Sequence, residues 1–147
     1  MLNLKEGDKA PNFKGIDQDG NTIQLKDYKG KKVILYFYPK DDTPGCTAEA
    51  CNFRDHNQEL LDKGLVVIGV SPDTEAKHSK FAFKYDLPFS LIADTEKKVI
   101  FQYDVWGPKK FMGREYEGVH RTTFIIDEKG KIEKVIKKVK TKESAML

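Results

Sequence analysis

The sequence predicts a mixed α/β sheet with helices on both faces. Two segments, Val33–Tyr38 and Leu65–Val70, are apolar at consecutive positions, as strands buried on both sides are. Each is followed by a stretch with helical spacing. The chain then closes on two strand-like runs, Thr122–Ile126 and Lys131–Val139, around the turn former Asp127-Glu128-Lys129-Gly130. Strands and helices that alternate first and end in an antiparallel pair favour this layered architecture.

The elements follow in order. Gly7–Phe13 is extended and leads into an N-terminal hairpin, in which Ile16 and Ile23-Gln24-Leu25 flank the Asp-Gly turn of residues 17–21. Pro39 ends the first buried strand because proline has no N–H for a ladder. A loop, Lys40–Gly45, opens a helix from about Cys46 to Lys63. Ala50, Phe53, Asn57, Leu60 and Leu61 share one face of it, and Gly64 stops it. After the second buried strand, Ser71-Pro72-Asp73-Thr74 caps a helix over Glu75–Tyr85. Phe89–Ile92 reads as a short strand, and Asp94-Thr95 as the cap of a helix running to Tyr103. The aromatics Tyr36, Phe37, Tyr38, Phe81, Phe83 and Tyr85 read as core and helix faces. Trp106 reads either as a partner surface or as a packed loop anchor.

Length and composition narrow the function. At 147 residues the chain is expected to be one domain, 1–147, large enough to bury a core without a disulfide scaffold. The 26 Lys and Arg residues against 23 Asp and Glu leave a net charge of only +3, too little to argue for nucleic acid. The clearest basic cluster, Lys131–Lys142, alternates with Ile132, Val135, Ile136 and Val139, as an exposed strand or helix edge would. No apolar run approaches the ~20 residues that cross a bilayer, and Met1–Glu6 turns polar too early for a secretory signal. The expected home is cytoplasmic, where thiols are kept reduced. Two cysteines five residues apart then point to chemistry or metal binding before a structural staple.

Cys46 is the candidate reactive group. With Thr43 as N-cap, Pro44 falls at N1 and Cys46 at N3. Its sulfur then lies beside unpaired backbone N–H groups at the positive end of the helix dipole, which favours thiolate over thiol. Ligands of open α/β sheets bind just beyond the carboxyl ends of strands, where Pro39–Cys46 falls. The alternative, a small inert buried residue, is common for cysteine in general but less so behind Thr-Pro-Gly. In an ideal helix Cys46 and Cys51 are roughly 8–9 Å apart at Cα and about 140° apart around the axis, whereas a disulfide tolerates at most ~7 Å. Either the two cysteines are unrelated, or the first turns of the helix unwind during the reaction.

Pro39-Lys40-Asp41-Asp42-Thr43-Pro44-Gly45-Cys46-Thr47 resembles the peroxiredoxin signature Pro-x3-Thr-x2-Cys. Cys46-Thr47-Ala48-Glu49-Ala50-Cys51 is similar to the Q-type branch, also called bacterioferritin comigratory protein. The resemblance extends from Gly7–Phe13 through Val70–Asp73, Leu87–Asp94 and Val105–Gly107 to Gly118–Phe124. It implies a thioredoxin-like fold and a peroxidase that reduces hydrogen peroxide and organic hydroperoxides. Cys46 would pass through sulfenic acid, Cys51 would resolve it to an intramolecular disulfide, and a thioredoxin-type dithiol would recycle the pair. The resemblance makes Arg121 the active-site arginine, a fixed cation beside the thiolate with donors for a peroxide oxygen. Thr43 matches the threonine that contacts sulfur and peroxide, a role compatible with N-capping. Pro39 matches the proline that shields the pocket. Glu49 matches a common family acid, although a solvated helix charge would read the same way.

No metal or organic cofactor is expected, and the protein is expected as a monomer or weak homodimer. Three rivals fit less well. A dithiol oxidoreductase of thioredoxin type would carry Cys-x2-Cys rather than Cys-x4-Cys. A metal module would need about four ligands, and His56, His78 and His120 are scattered at no ligand spacing. His120 adjoins Arg121 and is expected as a polar strand-end residue. A purely structural or partner-binding protein finds little support in aromatics that read as core.

Overall fold

The computed structural model describes residues 4–137. Strand β1 (Lys14–Ile16) and strand β2 (Thr22–Gln24) form the N-terminal hairpin, and a 3-10 turn, Leu25–Tyr28, follows. The central sheet collects β3 (Lys32–Phe37), β4 (Leu65–Ser71), β5 (Ser90–Ala93), β8 (Thr122–Ile126) and β9 (Ile132–Ile136) in the order β5-β4-β3-β8-β9. The first three strands run parallel, while β8 and β9 pair antiparallel. The sheet is therefore mixed, with β3 at its centre.

Helix α1 spans Pro44–Asp62, α2 Glu75–Tyr85 and α3 Lys98–Gln102. Successive side chains of β3 enter two separate cores. Val33, Leu35 and Phe37 pack with Phe13, Val99, Ile100, Tyr103 and Phe124 on one face. Ile34, Tyr36 and Tyr38 pack with Cys46, Ala50, Phe53 and Phe81 from α1 and α2 on the other. This period of two, apolar at both phases, makes a continuous hydrophobic run legible as a central strand.

The N-terminal hairpin is held to the edge strand by backbone mimicry. Gln18 donates from its amide to the Phe89 carbonyl and accepts from the Leu91 N–H, each at 2.8 Å. Gly15 faces Ile92 so closely that a side chain there would collide with it.

Several boundaries differ from expectation. Helix α1 starts at Pro44, as the Thr43 cap position required, and Leu61 near its end is 45% exposed although it lies only about 20° around the axis from Ala50. Strand β5 is shifted one residue, and Leu25 enters the 3-10 turn. Phe83 is 86% exposed, so it belongs to neither core. Asp94 does cap α3, but from a distance: its carboxylate accepts the Val99 and Ile100 N–H groups, and an intervening turn shortens the helix to Lys98–Gln102.

Strands β6 (Trp106–Phe111) and β7 (Arg114–Val119) form a second hairpin that the sequence did not announce. Gly107 and Pro108 are poor strand residues, and its two-residue turn is Met112-Gly113 rather than Asn-Gly. Both turn residues have positive φ, 51° and 78°, as a twist-matched hairpin turn requires. The expected extension of β9 to Val139 and the rest of the Lys131–Lys142 cluster lie outside the described residues.

Candidate active site

Beyond Phe37 the backbone makes one more ladder bond, from the Tyr38 N–H to the Val70 carbonyl, before half-buried Pro39 breaks the pairing. The loop then turns through Asp42, which takes a left-handed conformation (φ 58°) that Asp tolerates better than most residues. Two bonds hold Asp42 there: the Lys84 ammonium donates to one carboxylate oxygen and the Tyr85 hydroxyl to the other, both at 2.8 Å. The Lys84 bond, then the Tyr85 bond, holds the Asp42 carboxyl below its ordinary range.

Thr43 is the extended residue before α1, Pro44 is N1, and Cys46 is N3. The Thr43 hydroxyl does not cap the helix, a correction to the expectation. It donates instead to the Lys40 carbonyl at 2.9 Å, closing the loop behind itself. Neither Gly45 nor Cys46 can find an intrahelical acceptor for its N–H at N2 and N3, and Pro44 has none to place. The positive end of α1 therefore rests on the sulfur's own turn.

Cys46 is only 1% exposed. Arg121, just before β8, donates from Nη2 to Cys46 Sγ at 2.8 Å and from Nη1 to Glu49 Oε1 at 3.3 Å. Glu49 is fully buried rather than a solvated helix charge. A guanidinium thus lies between a sulfur and a carboxylate one helical turn apart, donating to each. Arg121 keeps about a quarter of its side chain in solvent, with a relative exposure of 24%. Of the six residues expected, three meet at the sulfur, Cys46, Glu49 and Arg121, while Thr43 precedes α1 with its hydroxyl on the Lys40 carbonyl. Pro39 shapes the loop's entry. Cys51 lies on α1, half-buried, with both cysteines free and the helix continuous between them.

Two further groups adjoin the centre and were not expected there. Tyr36 is fully buried against Phe53 and Tyr38, and its hydroxyl makes no hydrogen bond among the described residues. Burial first, then the charges of Glu49 and Cys46, pushes its phenol well above the ordinary range. A polar tip at the centre of a doubly buried strand was the one sign of it in the sequence. Lys109 of β6 donates to the Val119 carbonyl at 2.9 Å. Burial and then Arg121 lower its amine from the ordinary range, while Cys46 opposes them. Its place depends on the unannounced hairpin, so no local signal marked it. Exposed His120 donates its backbone N–H to the Val105 carbonyl at 2.7 Å.

The histidines are not all scattered. His78, Asp41 and Asp73 are buried together, with potential ligand atoms within 4.8 Å of one another. Each is already engaged: His78 Nδ1 with Asp41 at 2.6 Å, and Asp73 with the Asp41 N–H and the Ser71 hydroxyl. The trio reads as a hydrogen-bonded network.

The AhpC/TSA family model matches residues 6–135. The chain is a peroxiredoxin. It is 49% identical to peroxiredoxin Bcp of Bacillus subtilis (strain 168) over 142 residues, 97% of this chain and 90% of that protein. It is equally similar to peroxiredoxin Bcp of Escherichia coli (strain K12), at 49% over 141 residues, covering 96% and 90% of the two chains. Among solved structures, a cysteine-to-serine mutant of Xylella fastidiosa PrxQ superposes with a TM-score of 0.92 at 27% identity, over 99% of this chain and 93% of that one. A cysteine-to-serine mutant of Xanthomonas campestris peroxiredoxin Q gives a TM-score of 0.85 at 30% identity, covering 91% and 85%. The peroxiredoxin is accordingly a thiol-dependent peroxidase with a thioredoxin fold, as its motif implied.

Proposed function

We propose that Cys46 is the thiol that attacks peroxide and that Cys51 resolves it. The observation that carries this reading is the 2.8 Å bond from Arg121 to Cys46 Sγ at the start of α1. The Cys46 thiolate attacks the terminal oxygen of a hydroperoxide. The O–O bond breaks, sulfur keeps the hydroxyl as sulfenic acid, and the departing alkoxide or hydroxide takes a proton. Arg121 offers donors where that oxygen's charge grows, and Thr43 offers a hydroxyl at the same turn. Cys51 then condenses with the sulfenic acid, forming the S–S bond and releasing water. Because α1 is continuous across both cysteines, its first turns must unwind for this step. A dithiol reductant of thioredoxin type exchanges with the disulfide and leaves oxidised.

Hydrogen peroxide and organic hydroperoxides are the substrate class. An alkyl peroxide reduction activity is attributed to the bacterioferritin comigratory protein of Xanthomonas campestris, a structural relative at 30% identity. The reading suits a monomer or weak homodimer in a reducing compartment such as the cytoplasm.

The test counts free thiols after reduced protein is mixed with peroxide. Two thiols per chain should disappear rapidly, and none should in Cys46→Ser. Loss at the rate of free cysteine refutes the assignment. Cys51→Ser should consume one equivalent quickly and then over-oxidise. If it recycles with thioredoxin as well as the unaltered protein does, Cys51 is not the resolving residue.

A further inference from the structure

Helix α2 grips the chain on both sides of the two cysteines. Upstream, the buried Asp41 carboxylate accepts from the Tyr38 hydroxyl at 2.6 Å and faces His78 Nδ1 at 2.6 Å. The Asp41 N–H donates to Asp73 at 2.8 Å. Beside it, Asp42 is held by Lys84 and Tyr85. Downstream, Arg54 donates to the Tyr85 carbonyl at 2.9 Å. The segment between these grips, residues 43–53, contains both Cys46 and Cys51.

Both ring nitrogens of His78 are engaged. His78 Nε2 lies 2.9 Å from the Ile92 carbonyl, which can only accept, so Nε2 carries a proton. Nδ1 then faces the Asp41 carboxylate oxygen at 2.6 Å, and that bond ties the ring to the loop. Both residues are buried, so this is a strong and well-shielded bond.

We infer that His78, acting through Asp41, is a positioning residue that favours the wound, peroxide-reactive start of α1 over the unwound, disulfide-forming one. The inference rests on the two-cysteine reading above. The wound form has one conformation whether or not the loop is pinned. The unwound form is an ensemble, and a pin at Asp41 removes conformations from it. Releasing the pin therefore enlarges the unwound population. Fewer molecules present Cys46 to Arg121, so peroxide attack slows. Once sulfenic acid forms, Cys51 reaches it sooner, before a second peroxide can oxidise it to sulfinic acid and leave as water or alcohol.

His78→Phe keeps the bulk of the ring and removes both bonds. Intact-mass analysis after graded peroxide should show the sulfinic-to-disulfide ratio falling about tenfold, the worth of one charge-assisted hydrogen bond. First-turnover attack should slow as well. Asp41→Asn is the conservative control. Its amide can donate to His78 Nδ1 and its oxygen can accept from Tyr38, so the pin survives in neutral form and the ratio should move far less than in His78→Phe. A merely structural loss would lower the melting temperature without moving the ratio. An unchanged ratio in His78→Phe overturns the inference, as does an Asp41→Asn shift as large as that of His78→Phe.

Should His78→Phe fail to fold, the exposed grip decides. Lys84→Ala with Tyr85→Phe should shift the ratio the same way by about two- to threefold, and no shift overturns the inference. The two-cysteine reading is tested first on the unaltered protein. If peroxide forms no Cys46–Cys51 disulfide there, that reading has failed, independently of any variant.

Discussion

Arg121 joins the chemistry and the stability of this protein in one side chain, and Arg121→Met separates them. The substitution keeps the length of the side chain and removes the cation 2.8 Å from Cys46 Sγ. A hydrogen bond to a charged group contributes about 1.5–3 kcal/mol, so the first-turnover rate with peroxide should fall about 10- to 150-fold. The same change withdraws the guanidinium from Glu49, whose side chain is 1% exposed. Breaking a buried ion pair from one side costs about 3–5 kcal/mol. Arg121 retains 24% exposure, which screens the pair and brings the expected loss to roughly 2–3 kcal/mol. Adding Glu49→Gln removes the buried charge, so the double variant should regain most of the stability and none of the rate. Chemical denaturation and rapid-mix thiol loss on the two variants give both quantities. Recovery of the rate along with stability would refute the reasoning, since the loss would then have come from unfolding. So would an Arg121→Met rate equal to that of the unaltered protein.

Thr43→Val preserves the extended N-cap backbone and removes the hydroxyl bonded to Lys40. Stability should drop by only about 0.5–1.5 kcal/mol, while peroxide attack slows about tenfold if the hydroxyl also serves the peroxide; an unchanged rate confines Thr43 to the loop. Gly69→Ala would place a methyl 2.9 Å from Tyr36 Cζ and from Leu91 Cδ2, costing about 1–3 kcal/mol in a thermal melt, and a neutral result would mean the Tyr36 ring shifts freely. The Asp127 carboxyl is held below its ordinary range, chiefly by the Lys131 N–H it accepts in the β8–β9 turn. Its folded value is depressed, so its contribution is complete above the unfolded carboxyl's range and is lost as pH falls through the folded value. Asp127→Ala should therefore lower the melting temperature at neutral pH, with the difference narrowing in acid; a pH-independent difference would assign the effect to the turn backbone.

How much was readable follows from how local each cause is. Helix α2 was delimited from sequence, Glu75 to Tyr85, because its cap is self-contained: Thr74 accepts the Lys77 N–H three residues on. Strand β3 was plain because consecutive residues serve two cores. The β6–β7 hairpin was hidden because Met112 supplies a left-handed conformation usually left to Asn or Gly. Leu61 and Phe83 carried core chemistry to exposed positions, since helical spacing alone does not say where a neighbouring sheet ends.

The sequence by itself determined the layered α/β class and the place of Cys46 at the third position of a helix. It also determined the conflict between an intact α1 and a Cys46–Cys51 disulfide. These follow from local geometry: the identity of the capping and first-turn residues, and a rise and rotation fixed by the helix. Only the tertiary structure decided that Arg121, 75 residues away, donates to the sulfur. It alone buried Glu49 as the partner of Arg121, brought Tyr36 and Lys109 to the site, and joined His78 to the loop through Asp41. Those contacts arise where β3, β8, two helices and the β6–β7 hairpin meet, and no spacing along the chain encodes which distant charges will share the same low-dielectric space.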